Sequence, residues 1–151
     1  MVCLGNICRS PLAEGILRQK ITERNLEVEV HSSGTSNYHI SESADSRMIS
    51  TARRHGIDIS NHKARQFVVN DFDYYDKIYV MDGQNFRNVS RLARNDEDRS
   101  KVQLIMNVVE PASHFEVPDP YYSGNDGFEL VFKMLDEACE KIADNIETKK
   151  R

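Results

Sequence analysis

The sequence predicts an α/β fold: a three-layer sandwich with a central, mainly parallel four-stranded sheet, helices on both faces, and a phosphate loop after the first strand. Three observations point there. Short apolar runs at residues 1–4, 26–30, 77–81 and 102–106 read as strands and alternate with segments of helical period, the pattern of βαβ units. At 151 residues the chain fits one domain spanning residues 1–151, long enough to bury roughly 68–70% of its unfolded surface without disulfide or metal staples. The run VCLGNICRSP at residues 2–11 falls on a strand-to-helix turn, where such sheets bind their ligands.

Each element has a local cause. Met1-Val2-Cys3-Leu4 reads as the end of a buried strand. Ser10 suits a helix N-cap and Pro11 the first helical position, with Leu12, Ile16, Leu17 and Ile21 as the inward stripe. Residues 26–30 alternate like a strand and lead into a polar loop at 31–36. Residues 43–55 read as a second helix closed by Gly56 in the position after the cap. The acidic-aromatic turn DFDYYD precedes the strand KIYVM at 77–81. A helix follows at about 84–94 with Phe86, Val89, Leu92 and Ala93 inward, then a strand at 102–106 and a proline-containing loop at 111–122. The last helix runs from about 126 to 146, and Cys139 lies on its apolar stripe, a core position.

Composition narrows the function. The net charge is −4, and the basic residues are scattered apart from a short tail at Lys149, Lys150 and Arg151, which argues against a nucleic-acid partner. No apolar run approaches the roughly 18 residues of a membrane span, so no membrane partner is expected. Three cysteines, an odd count, and no signal-peptide pattern point to the cytoplasm, where thiols stay reduced. The five histidines make no zinc-like spacing, so no metal is expected.

The opening run carries the chemistry. A loop from strand to helix turns successive backbone N–H groups inward, and the helix N-terminus adds positive potential, so the site favours a phosphate dianion. Gly5 offers the backbone freedom that a tight nest requires, and the planar fork of Arg9 can hold two phosphoryl oxygens. Cys3 begins the loop, which sets its sulfur at the floor. A thiol ionises near 8.5 in water, and helix termini and cations lower that value to about 3.5–7.5; one field therefore binds phosphate and activates the sulfur. A cysteine at a strand end is by itself more often a small buried hydrophobe. The whole ordered string is far more specific, and no Walker-type G-x-x-x-x-G-K-[ST] is present.

The string CLGNICRSP and DPYY at residues 119–122 resemble the low-molecular-weight protein tyrosine phosphatases. SSGTSNY, RRHGI at 53–57, ARQ at 64–66 and YVMD at 79–82 follow in the family's order, so the similarity covers nearly the whole chain. The resemblance implies a protein-tyrosine phosphatase that hydrolyses phosphotyrosine and small aryl phosphates through a phosphocysteine, with no cofactor and no metal. Cys3 is then the nucleophile, Arg9 the phosphoryl clamp, and Asp119 the general acid that protonates the leaving phenol and later the base on water. Leu4, Gly5, Asn6, Ile7, Cys8, Arg9 and Ser10 are the implied phosphate-binding residues. Asn6, Ser32 and His62 match positions that brace the loop, and Ser10 the hydroxyl that stabilises the thiolate. Tyr38, Tyr121 and Tyr122 are implied in the substrate cleft, and Asp45 and Asp82 in structural roles. Cys8 is the implied redox partner of Cys3.

The implied partners are phosphotyrosine-containing proteins or small aryl phosphates, and the implied state is a monomer or weak dimer. Only Met1 and Val2 precede Cys3, where the family has several more apolar residues; either the central strand continues upstream, or it is about three residues long, below the usual five or six. Two alternatives share the fold. A thiol-dependent arsenate reductase would relay oxidation through two more cysteines near mid-chain, and here only Cys139 remains. A protein-arginine phosphatase tends to carry Thr where Ile7 stands, which favours tyrosine. A binding module without catalysis would need neither the nucleophile nor the acid.

Overall fold

The computed structural model describes residues 1–111 and 115–150; Ala112, Ser113 and His114 of the loop expected at 111–122, and Arg151 of the basic tail, lie outside them. Strands β1 (Val2–Cys3), β2 (Ser33–Gly34), β3 (Ile78–Val80) and β4 (Val102–Leu104) lie in the order β2-β1-β3-β4, and every pairing is parallel. The helices among the described residues are α1 (Arg9–Glu23), α2 (Ser46–Arg54), α3 (Asp71–Tyr74), α4 (Gly83–Ser90), α5 (Asp96–Ser100) and α6 (Asn125–Lys150). Short 3-10 turns occupy Ile105–Val108 and Pro120–Tyr122.

Side-chain alternation divides the core into two layers. Cys3 faces a cluster built from Leu12 and Ile16 of α1 and Val131, Leu135 and Cys139 of α6. Val2, one residue earlier, faces the opposite cluster, with Ile78, Val80, Val102, Leu104, Phe72 and Val89, because successive strand residues point to opposite faces. Phe72 is fully buried and meets Phe67 edge-on at 5.3 Å, a burial that contributes about 1.5–3 kcal/mol. Helices cover both faces of a parallel sheet, which is the three-layer architecture predicted.

Several elements differ from the sequence reading, each for a physical reason. Residues 26–30 form no strand; the register Val2↔Ser33 and Cys3↔Gly34 puts β2 inside the expected polar loop. Residues 27–33 instead border, with residues 74–79, a groove of about 1030 Å³. Helix α1 begins two residues before Pro11, with Cys8 at the cap and no side-chain capping bond; Ser10 is turned inward to other partners, and proline remains acceptable because first-turn N–H groups have no intrahelical acceptor. Helix α2 starts at Ser46 because the Asp45 side chain accepts from Arg47 N, and it ends before Gly56, whose φ of 78° suits glycine.

Asp82 likewise caps α4 by accepting from Asn85 N, and that helix buries Asn85 and Val89 while Phe86 and Leu92 stay exposed. The fourth strand stops at Leu104, and a 3-10 turn takes the apolar residues after it. The short helices α3 and α5 have no apolar periodicity to reveal them; each is organised by a buried aspartate, Asp71 and Asp98.

Candidate active site

The loop after β1 is held open by Asn6. Its φ is 58°, a left-handed conformation that costs most residues about 1–2 kcal/mol and that asparagine tolerates. Its side chain is fully buried and fully used: Nδ2 donates to Ser10 Oγ at 2.7 Å and to Ser32 Oγ at 3.0 Å, while Oδ1 accepts from Arg65 N at 2.9 Å. The Asn6 carbonyl meets His62 Nε2 at 2.7 Å. Gly5, expected to carry the unusual dihedral, has no positive φ; a Cβ there would lie 2.9 Å from His39 Cδ2, so the His39 ring packs directly over the loop at this position.

The Cys3 sulfur lies inside this loop. Asn6 N–H donates to Sγ at 3.3 Å, and Ser10 Oγ lies 3.0 Å from it. Ser10 Oγ is also 3.3 Å from the Ser33 carbonyl; its single proton cannot serve both acceptors, so an ionised sulfur draws it. Arg9, only 2% exposed, donates from Nη1 to Asp82 Oδ2 at 2.7 Å and to Val117 O at 3.0 Å. Its Nη2 stands 3.7 Å from Asp119 Oδ2. Burial works against the Arg9 charge, but the Cys3 sulfur and the Asp82 and Asp119 carboxylates outweigh it and raise its pKa.

Asp119 caps the turn Pro120–Tyr122, accepting from Tyr121 N at 3.1 Å. The segment before Asp119 is fastened next to β3, where Val117 N donates to Met81 O at 2.8 Å. Tyr121 is exposed, at 37%, and meets Tyr122 edge-on at 4.9 Å, while Tyr122 and Tyr38 are still more open to solvent. Leu4 is partly exposed, Ile7 half-buried, and Cys8 buried. Burial and the Asp45 carboxylate push the Cys8 thiol far above its ordinary range. Cys139 is buried, with Sγ 3.5 Å from Ala13 O. Among the described residues, no group of three His, Cys, Asp or Glu could hold a metal ion, and no helix is long and apolar enough to cross a membrane.

Three contributors lack a sequence signal of their own. Glu14 accepts a short hydrogen bond from Ser32 Oγ, and its Oε1 lies 4.0 Å from His62 Nδ1. Gly34 admits the loop against β2, because a Cβ there would lie 2.7 Å from Leu4 O and 3.0 Å from Asn6 N. Arg47 lies over the Tyr121 ring at 5.3 Å.

A parallel α/β sheet whose central strand ends in a Cys-x5-Arg loop, with an aspartate beside the arginine, defines a small cysteine-dependent protein-tyrosine phosphatase. The chain belongs to the low molecular weight phosphotyrosine protein phosphatase family, whose model matches residues 1–151. It is 35% identical over 148 residues to the low molecular weight phosphotyrosine protein phosphatase of Sus scrofa, covering 96% of this chain and 92% of that one. The crystal structure of a protein tyrosine phosphatase from Entamoeba histolytica superposes with a TM-score of 0.90 at 35% identity, covering 99% and 96% of the two chains. A Drosophila arginine phosphatase superposes with a TM-score of 0.87 at 28% identity, over 95% and 94%.

Proposed function

We propose that this chain removes phosphate from phosphotyrosine in proteins, and from small aryl phosphates, by way of a phosphocysteine on Cys3. In the first step the Cys3 thiolate attacks phosphorus, the bond from phosphorus to the phenolic oxygen breaks, and Asp119 gives its proton to that oxygen. In the second, Asp119 takes a proton from water, the water oxygen bonds to phosphorus, and the phosphorus–sulfur bond breaks to return the thiolate and release phosphate. Arg9 and the N–H groups of residues 4–10 hold the equatorial oxygens, where charge is concentrated. Ser10 holds the sulfur, Ser32 and His62 brace the loop through Asn6, and Tyr38, Tyr121 and Tyr122 receive the aromatic ester.

The observation that carries this reading is the double contact on sulfur, from Asn6 N–H and Ser10 Oγ, in a loop closed by Arg9. Cys8 is assigned as redox partner: when peroxide oxidises Cys3 to a sulfenic acid, the Cys8 sulfur displaces water to give a disulfide. The chain is assigned to the cytoplasm as one catalytic domain, acting as a monomer or weak dimer. The test is acid-quenched turnover of p-nitrophenyl phosphate with mass spectrometry of the peptide holding Cys3. Phosphorus on Cys3, together with loss of hydrolysis in Cys3→Ser, is expected; equal hydrolysis by both proteins overturns the mechanism. Phosphoarginine and arsenate as parallel substrates test the two alternatives.

A further inference from the structure

The nucleophile and the acid come from opposite ends of the chain, and one side chain links them. The Asp45 N–H donates to Ile7 O in the phosphate loop at 2.8 Å. The Asp45 carboxylate accepts from Arg47 N at 2.8 Å, Nε at 3.0 Å and Nη2 at 2.7 Å. The guanidinium so fixed lies 5.3 Å from the centroid of Tyr121 and 4.8 Å from that of Phe128 in α6. The N–H of Tyr121 in turn donates to Asp119 Oδ1. We propose that Arg47 is a positioning residue for proton transfer: held by Asp45, it seats the Tyr121 ring and through it orients the Asp119 carboxyl toward the leaving oxygen.

The residue type matters. A guanidinium can give its edge to a carboxylate and its faces to aromatic rings at once, whereas an ammonium has no such plane. Phe128 belongs to the long, well-packed α6 and fixes the site of stacking, so the Tyr121 ring is held against the body of the protein. Displacing a carboxyl by a fraction of an ångström slows proton transfer while leaving the phosphate loop intact.

This inference rests on Asp119 being the general acid, and the experiment separates the two. Measured as kcat/KM, Arg47→Ala is expected to slow phenyl phosphate about tenfold and p-nitrophenyl phosphate only about two- to threefold, because the better leaving group needs the proton less. Inorganic phosphate should inhibit as before. Arg47→Lys should recover only part of the loss. In an Asp119→Asn background, Arg47→Ala should add almost nothing, as residues acting through one group are not additive.

Equal losses on both esters, or a full further loss in the Asp119→Asn background, overturn the inference. If Arg47→Ala does not fold, Asp45→Asn loosens the same guanidinium while retaining a side-chain acceptor at the cap, and the same ester dependence is expected; a uniform loss again overturns it. Should Asp119→Asn itself slow both esters equally, the acid assignment fails. Should Asp119→Asn discriminate between them and Arg47→Ala not, only the role of Arg47 fails.

Discussion

Arg9 Nη1 donates to Asp82 Oδ2 across 2.7 Å, and the same nitrogen reaches Val117 O at 3.0 Å. One arm of the fork is therefore committed to protein, which under the proposed mechanism leaves the other edge of a nearly buried guanidinium for the phosphoryl group. Asp82, expected in a structural role, fixes the Arg9 guanidinium and, under the proposed mechanism, sets the angle at which it would meet substrate.

Asp82→Ala should accordingly cost more than a surface carboxylate would. A hydrogen bond to a charged group contributes about 1.5–3 kcal/mol, so kcat/KM is expected to fall roughly 10- to 100-fold. The α4 cap, Asp82 Oδ1 to Asn85 N at 2.8 Å, is lost with it, whereas Asp82→Asn keeps a capping oxygen. If thermal melts separate the two variants while kcat/KM does not, the cap and the arginine contact are independent functions of one side chain. An Asp82→Ala enzyme with unchanged kcat/KM would contradict the orienting role.

Asn6 joins a backbone requirement to a side-chain one. Asn6→Gly keeps the left-handed backbone and loses the three contacts of the side-chain amide, to Ser10, Ser32 and Arg65; Asn6→Ala loses both. Alanine at φ 58° adds about 1–2 kcal/mol of strain, so denaturant unfolding should rank Asn6→Ala below Asn6→Gly, with p-nitrophenyl phosphate turnover impaired in both. The reverse order would mean that loop strain is not what Asn6 relieves.

Gly34 is a test of close approach. A methyl group there would meet backbone atoms of Leu4, Gly5 and Asn6 at 2.7–3.0 Å, and backbone cannot yield as a flexible side chain does. Gly34→Ala should destabilise by about 1–3 kcal/mol and should also displace the loop, so that phosphate inhibition weakens in enzyme that remains folded. A fully active Gly34→Ala protein would show that the strand has room to move.

These residues mark where sequence reasoning reached and where it stopped. The Cys-x5-Arg run could be read as a phosphate loop because that chemistry depends on residue type and local order, whereas Asp119, an Asp-Pro turn by itself, was singled out only through the resemblance carried by DPYY. The two core layers were legible because strand and helix periods are properties of neighbouring residues. Residues 26–30 misled because a strand exists only when a neighbour lies in register, and the register of β1 pairs Ser33 and Gly34 instead. Ser10 was read as a cap for the same reason: its type permits capping, and only the fold reveals that its oxygen accepts from Asn6 Nδ2 while its hydroxyl lies against the Cys3 sulfur. Arg47 and Glu14 act through contacts with residues far along the chain, which no local pattern encodes.

Acid should expose the Asp45–Arg47 pair. The Arg47 hydrogen bond holds the Asp45 carboxyl below the usual carboxylate range, against the opposing effect of burial. A folded-state pKa below the unfolded one means that the unfolded chain binds the proton first as pH falls. The stabilisation is thus fully present above about pH 4, the ordinary aspartate value, and is lost as pH drops from there through the folded-state value. Asp45→Asn cannot titrate, so the stability gap between wild type and variant, measured by thermal melts from neutral pH to about pH 3, should be widest near neutrality and narrow on acidification. Parallel curves across that range would mean that the pair contributes no proton-linked stability, and that the grip of Asp45 on Arg47 is too weak to hold Tyr121 in place.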